Sequence, residues 1–198
     1  MSKSVRSVGT LDELRRFVPT EQIASQHPHE AAGGGSYAVE PATRAELVDL
    51  MQWANRRGAV VYTRHERASD VTQCGTRPRI YLRGRRMARI HDVDIVSGTV
   101  TVQSGITMSA LHLALRERGF TTGFATRAWR KQSLGAVLAA TLDSHWGPSY
   151  GSMEDQVVGL GVVLPDGTLA ESRAAPRKAV GPDFDRLFLG SRGRFGII

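Results

Sequence analysis

The chain has 198 residues, a hydrophobic content of 41% and a formal net charge of +7. This length and composition are sufficient for a sizeable core without disulfide or metal support. The single cysteine, Cys74, excludes an intrachain disulfide framework and a cysteine-rich metal site, and it fits a cytoplasmic location. No stretch reaches the ~20 apolar residues that span a bilayer, and the N-terminus lacks the apolar segment of a signal peptide. We therefore expect a cytoplasmic protein with no membrane segment.

The positive charge is concentrated between Arg77 and Arg89, where six arginines occur. Such a cluster can bind nucleic acid or another anionic partner, or it can be the solvated face of a strand or turn. The apolar residues Ile80, Leu82 and Met87 alternate with the arginines, as expected for a solvated face. No recognised nucleic-acid-binding module accompanies the cluster. We favour the solvated face and do not expect nucleic acid to be the partner.

Residues 1–36 have the pattern of an N-terminal appendage to a domain over 37–198. The sequence Thr10-Leu11-Asp12-Glu13 has the form of a capping box and predicts a short helix that begins near Thr10. The glycine-rich stretch that ends at Ser36 predicts a hinge between the appendage and the domain.

Beyond residue 37 the pattern of secondary structure becomes regular. A second capping box, Thr43-Arg44-Ala45-Glu46, begins a helix that Gly58 is expected to end. The other predicted elements are strands at 59–62, 80–82, 88–96 and 99–103, helices beginning at Thr107 and Ser133, a strand over 156–164 that the turn Pro165-Asp166-Gly167 reverses into 168–172, and a helix over 183–189. Helices interspersed with hairpins indicate an α+β fold of two lobes, over about 37–96 and 97–198.

Five glycine-containing motifs follow one another along the chain. They are VTVQSG at 100–105, SLGA at 133–136, YGSMED at 150–155, VVLPDG at 162–167 and GSRGRFGII at 190–198. In this order and spacing they resemble the FAD-linked oxidase domain of the p-cresol methylhydroxylase (PCMH) and vanillyl-alcohol oxidase superfamily. The YGSMED motif is similar to the alkyl-dihydroxyacetonephosphate synthase branch. The resemblance implies an α+β, PCMH-type FAD-binding fold of two α/β lobes, with FAD held between them.

The resemblance also implies which residues contact the cofactor. The pyrophosphate is expected on the loop after the first buried strand, and the isoalloxazine ring near the later motifs. The predicted cofactor-binding residues are Arg64, His65, Glu66, Arg67, Ala68, Ser69, Ser133, Leu134, Gly135, Gly151, Asp155, Ile197 and Ile198. The histidines show no convergent metal-ligand spacing, so we predict no metal site. Catalytic residues are not assigned.

The predicted pyrophosphate loop departs from the family pattern R-G-x-G-T-S, because His65 and Arg67 stand where that pattern has glycine. Glycines there let several backbone N–H groups approach a phosphate. Two alternatives follow: Arg64 and Arg67 hold the phosphate by charge instead, or the loop has lost its ligand. His65 could also tether flavin covalently, but a loop role is favoured. The chain departs from the family at two further positions. Ala136 replaces the second glycine of the family's I-G-G segment, and Arg192 replaces the glutamate of its G-S-E-G motif.

Asp155 and its neighbour Glu154 are adjacent carboxylates, which point apart on an extended turn. They are therefore not expected to act as a general acid/base pair, and Asp155 is interpreted as a cap or turn residue.

These features predict the FAD-binding domain of a flavin-dependent oxidoreductase. Family enzymes continue into a substrate-binding domain, and the sequence is expected to lack this domain, so a protein partner on another chain is expected to provide it. The alternative is a flavin-free, non-catalytic relative that serves as a binding or scaffold protein. Whether the chain is an enzyme stays open at this point.

Overall fold

A computed structural model describes residues 3–25, 35–63, 77–123, 129–140, 154–175 and 183–198. The helices are α1 (Lys3–Leu14), α2 (Arg44–Arg57), α3 (Met108–Arg116), α4 (Leu134–Ala139) and α5 (Asp185–Phe188). The strands are β1 (Ile23–Ser25), β2 (Ser36–Val39), β3 (Val60–Tyr62), β4 (Arg79–Leu82), β5 (Ile90–Asp94), β6 (Thr99–Val102), β7 (Gly161–Val163) and β8 (Leu169–Glu171). The chain forms two compact units, which consist of Met1–Arg86 with Val163–Thr168, and of Met87–Val162 with Leu169–Ile198.

The first unit is built on a four-stranded sheet in the order β1-β2-β4-β3. Strand β4 is parallel to both β2 and β3, and β1 is antiparallel to β2. All four residues of β2 and all four of β4 are buried. Buried runs of this kind are typical of parallel strands covered on both faces. The side chains with almost no exposure in this unit include Leu14, Val18, Val39, Leu50 and Ile80.

Helix α2 begins and ends as the sequence predicts. The hydroxyl of Thr43 accepts a hydrogen bond from the backbone N–H of Glu46 at 3.1 Å, which caps the first turn. Gly58 has a left-handed φ of 62°, and its N–H donates to the carbonyl of Asn55. The following N–H, of Ala59, donates to the carbonyl of Ala54 at 2.8 Å. This pair of bonds is the Schellman ending that favours glycine at the helix terminus.

The N-terminal helix differs from its prediction. It begins at Lys3, so Thr10 lies within the helix and does not cap it. Glu13, expected to complete the capping box, instead accepts hydrogen bonds from Trp53 Nε1 and Arg57 Nε, both at 2.8 Å. A tertiary contact to α2 has therefore replaced the local one. Together with the β1–β2 pairing, it joins α1 and β1 to the elements of the first unit. The appendage over 1–36 stays a prediction.

The second unit contains the predicted hairpin of β5 and β6, which are antiparallel with a bulge near Ile90. The turn passes through Gly98, which has a φ of 63°. Helix α3 packs on this hairpin through Leu111 and Leu115, which lie in one cluster with Ile106, Val100 and Val102 among others. These contacts bury one apolar face of the helix against the hairpin.

Strands β7 and β8 form a second hairpin, reversed at Pro165-Asp166-Gly167 as predicted. Gly167 has a φ of 86°, and the carboxylate of Asp166 accepts the N–H of Thr168 at 2.8 Å. The predicted strand over 156–164 is too long, because Glu154–Gln156 forms a 3₁₀ turn and the regular strand begins only at Gly161, although the carbonyls of Val158 and Leu160 still accept from Ala175 and Ser172. Helix α5 lies within the predicted range, and its buried Asp185 accepts a hydrogen bond from Ser172 Oγ.

None of the helices in the described ranges is both long and apolar enough to cross a membrane.

Candidate cofactor site

The predicted cofactor residues fall into two groups. Residues Arg64 to Ser69 and Gly151 lie outside the described residues. Ser133, Leu134, Gly135, Asp155, Ile197 and Ile198 are described, and all belong to the second unit.

Helices α3 and α4 begin side by side, and the segment that leads into each helix supplies hydrogen-bond acceptors for the first amides of the other. From the start of α3, Met108 N–H donates to the carbonyl of Gln132 at 3.0 Å, and Ser109 N–H donates to that of Arg130 at 3.1 Å. From the start of α4, Leu134 N–H donates to Ile106 at 2.8 Å. The N–H groups that most helices leave for caps, water or anions are therefore already bonded at these two starts.

The hydroxyls of two residues complete these helix starts. Thr107 Oγ1 accepts from Ala110 N–H, and Ser133 Oγ accepts from Ala136 N–H. Both residues were predicted to begin helices, and both predictions are confirmed. The cost of this arrangement is that α3 and α4 cannot offer their first N–H groups to a phosphate, which is the usual use of a helix N-terminus in nucleotide binding.

Gly135 lies unusually close to the turn that follows β6. Its N–H donates to the carbonyl of Ser104 at 2.7 Å. A Cβ atom at this position would lie 2.9 Å from Ser104 Cβ, which is closer than real Cβ atoms approach. The glycine of the SLGA motif is thus required by close packing of two backbone segments. Ala136, which replaces the next family glycine, is accommodated within α4.

The C-terminal segment runs back along α4. Gly190 N–H donates to the carbonyl of Leu138 at 2.9 Å, and Arg192 N–H to that of Ala139 at 2.7 Å. Arg192 has a φ of 57°, so an arginine occupies the left-handed region that favours glycine. Further along, the carbonyl oxygen of Ile198 accepts a hydrogen bond from Ser104 Oγ.

Ser104 therefore joins two of the predicted cofactor segments, because it contacts Gly135 through its backbone and Ile198 through its hydroxyl. We call these three residues, Ser104, Gly135 and Ile198, the Ser104 junction. The sequence did not single out Ser104. The one sequence feature that points to Ser104 is its position directly before Gly105 in the VTVQSG motif.

Asp155 is placed elsewhere by its contacts. It lies in the 3₁₀ turn Glu154–Gln156, and its exposed carboxylate accepts a hydrogen bond from Arg186 at 3.1 Å. This agrees with its interpretation as a turn residue. Its prediction as a cofactor contact stays a prediction.

In the first unit, the carboxyl ends of the parallel strands define a second region of interest. Strand β3 ends at Tyr62, which stacks on Tyr81 of β4 with ring centroids 5.3 Å apart. After Thr63 the chain enters the predicted pyrophosphate loop. Strand β2 is followed at the same edge by Glu40, and β4 by Arg83. Ligands of open α/β sheets bind outside the carboxyl ends of the strands.

Among the described residues, the titratable groups with a shifted pKa are not predicted cofactor contacts. Burial raises the pKa of Tyr37 on β2. Hydrogen bonds from Ser97 lower the pKa of Asp94 in the β5–β6 turn. Across the described ranges, no group of three or more His, Cys, Asp or Glu side chains is arranged to hold a metal ion.

Each of the two regions, taken by itself, has groups that suit one part of a nucleotide cofactor better than a metal ion. In the Ser104 junction, Gly135 has no Cβ where it approaches Ser104, and its N–H is bonded to the Ser104 carbonyl. A rigid surface of this kind suits packing against a planar ring. The sheet edge carries an arginine and leads into a loop with two more, at Arg64 and Arg67. Arginine side chains can bind a pyrophosphate through charge-assisted hydrogen bonds.

A comparison with protein families identifies the class of cofactor. The family model described as FAD binding domain matches residues 36–173. The chain belongs to this family. The match supports FAD as the cofactor and confirms the resemblance predicted from the five motifs.

Individual relatives agree with this assignment. The FAD-linked oxidoreductase YgcU of Escherichia coli strain K12 is 36% identical over 114 residues, which cover 58% of this chain and 24% of YgcU. A structure of alkyldihydroxyacetonephosphate synthase superposes with a TM-score of 0.79 at 23% identity, covering 96% of this chain and 38% of the synthase. For p-cresol methylhydroxylase with substrate bound, the TM-score is 0.58 at 15% identity, with 98% and 42% covered.

These likenesses show that the fold is the PCMH-type FAD-binding fold. The chain spans between 24% and 42% of the length of these three proteins. The shared part is thus the FAD-binding domain of FAD-linked oxidoreductases.

Proposed function

We propose that this chain is the cofactor-binding part of a flavin-dependent oxidoreductase, and that a separate polypeptide segment or chain supplies the substrate-binding part. When bound, FAD accepts a hydride from an organic substrate. The observation that carries the proposal is the match to the FAD binding domain over residues 36–173.

The Ser104 junction supports a positioning role for the second unit. Its segments are held by backbone bonds from Gly135 to Ser104 and from Leu134 to Ile106, so they form one fixed surface. A fixed surface of this kind orients a bound ring without reorganisation during the reaction. Ser133, Leu134, Gly135, Ile197 and Ile198 are the proposed contacts to the isoalloxazine.

The partner is the second element of the proposal. More than half the length of YgcU, the synthase and p-cresol methylhydroxylase lies beyond the part that this chain matches. In an enzyme of this class, a substrate pocket needs surfaces that this matched part does not provide alone. A substrate-binding partner is therefore proposed, in the cytoplasmic location expected from the sequence.

The test is the visible absorption spectrum of the purified chain before and after incubation with excess FAD and desalting. We expect a flavin band that persists after desalting, at one FAD per chain. A folded protein that stays colourless and takes up no FAD would refute the proposal and support the flavin-free alternative.

A further inference from the structure

A cation stands at the carboxyl edge of the parallel sheet in the first unit. Arg83 is the first residue after β4, the strand that pairs with both β2 and β3. Its backbone N–H donates to the carbonyl of Val39 at 3.0 Å, which extends the ladder one residue and fixes the base of the side chain. Arg83 is thus anchored at the edge from which β3 leads into the predicted pyrophosphate loop.

The guanidinium of Arg83 is held but not saturated. Its Nη1 lies 3.4 Å from Glu40 Oε1, and the two side chains are 28% and 27% exposed. Among the described residues this is its one polar side-chain contact, and an arginine has five N–H donors. A single long contact leaves a planar fork partly desolvated and open to a second anion.

We propose that Arg83 binds the pyrophosphate of FAD, and that Glu40 keeps the guanidinium at the sheet edge until the phosphate arrives. This inference rests on the proposed function, since it takes FAD as the ligand. Arginine binds phosphate through two parallel N–H bonds, which a rigid fork at this edge is suited to make.

The substitutions in the loop favour a contribution from such a cation. With His65 and Arg67 in place of glycines, backbone N–H groups are less able to approach a phosphate. The starts of α3 and α4 have their N–H groups bonded within the protein. Fixed positive charge on a side chain is another means of holding a phosphate.

The experiment compares the affinities of three variants for three probes. ADP carries the pyrophosphate without the flavin, riboflavin carries the ring without phosphate, and FAD carries both. The variants are Arg83→Ala, Glu40→Gln and the control Arg56→Ala. Arg56 is an exposed arginine at the end of α2, where the chain enters the amino edge of the same sheet.

Arg83→Ala is expected to weaken ADP and FAD binding by about tenfold, the loss of one charge-assisted contact. Glu40→Gln is expected to strengthen both by about threefold, because the competing negative charge is removed while Arg83 stays. Binding of riboflavin should not change in either variant, and Arg56→Ala should bind all three probes as the wild type does.

The opposite signs separate anion binding from a structural ion pair. If the pair only stabilised the fold, both Arg83→Ala and Glu40→Gln would weaken binding and would also lower the midpoint of urea unfolding. That result overturns the inference. Wild-type affinity for FAD retained in Arg83→Ala would overturn it while leaving the proposed function intact. A wild-type protein that binds neither FAD nor ADP would refute both.

Discussion

At the scale of single residues, the backbone of Arg192 is the clearest departure from local preference. It is the one non-glycine residue with a positive φ in the described ranges, between Gly190 and Gly193, which share that sign. A left-handed conformation costs a side-chain-bearing residue about 1–2 kcal/mol. The hydrogen bond from its N–H to Ala139 keeps it there.

We therefore expect Arg192→Gly to raise the free energy of unfolding by about 1 kcal/mol. Urea denaturation measures the change. The matched control is Arg194→Gly, at an exposed position without positive φ, where glycine should destabilise by a few tenths of a kcal/mol. Equal effects of the two substitutions would show that the conformation of Arg192 is not strained.

Gly135 is a position where the lack of a side chain allows close packing. Gly135→Ala would place a Cβ 2.9 Å from Ser104 Cβ and push the two segments apart. We expect a loss of about 1–3 kcal/mol in stability and weaker retention of FAD after desalting. The control is Gly161→Ala in β7, where a Cβ would make an ordinary 3.6 Å contact with Glu171. A Gly135→Ala protein with unchanged stability would contradict the close packing of the Ser104 junction.

At the scale of secondary-structure elements, the contact between α1 and α2 decides whether the N-terminal residues belong to the first unit. One carboxylate, that of Glu13, binds both the indole of Trp53 and the guanidinium of Arg57. Leu14 and Val18, just beyond it, are fully buried. A polar clamp next to buried side chains fixes both the position and the orientation of α1.

Glu13→Ala is expected to lower the free energy of unfolding by about 2 kcal/mol, since it leaves a partly buried indole N–H without its acceptor. Glu13→Gln keeps an oxygen for Trp53 and should cost about half as much. Because Arg57 is 54% exposed, added salt should reduce the difference between these two variants. The control Asp12→Ala, at an exposed site, should change stability little. A loss equal to that of Glu13→Ala would show that the contacts of Glu13 with Trp53 and Arg57 do not stabilise the fold specifically.

At the scale of the whole molecule, cofactor and stability are linked. A ligand that binds only the folded protein stabilises it by about 2.7 kcal/mol at a concentration of 100 times its Kd. We therefore expect the thermal midpoint to rise with FAD concentration, and to rise less with riboflavin, which lacks the pyrophosphate. A midpoint that does not respond to FAD would contradict binding to the native state.

The features that could be predicted from the sequence are those that neighbouring residues determine. The helix starts at Thr43, Thr107 and Ser133 could be predicted because a hydroxyl and an N–H three residues away satisfy one another locally. The start of α1 was missed because Glu13 bonds residues 40 and 44 positions away, which no local pattern reveals. The same reason hid Ser104, whose hydroxyl bonds a carbonyl 94 residues later.

The side-by-side starts of α3 and α4 have a consequence for how this part of the molecule folds. The first amides of each helix find their acceptors in the segment that leads into the other helix, so both starts are completed only when the two segments have come together. The two should therefore open as a single unit in native-state hydrogen exchange. The amides of Met108 and Ser109 would then exchange at the same rate as those of Leu134 and Gly135, although more than 20 residues of chain separate them.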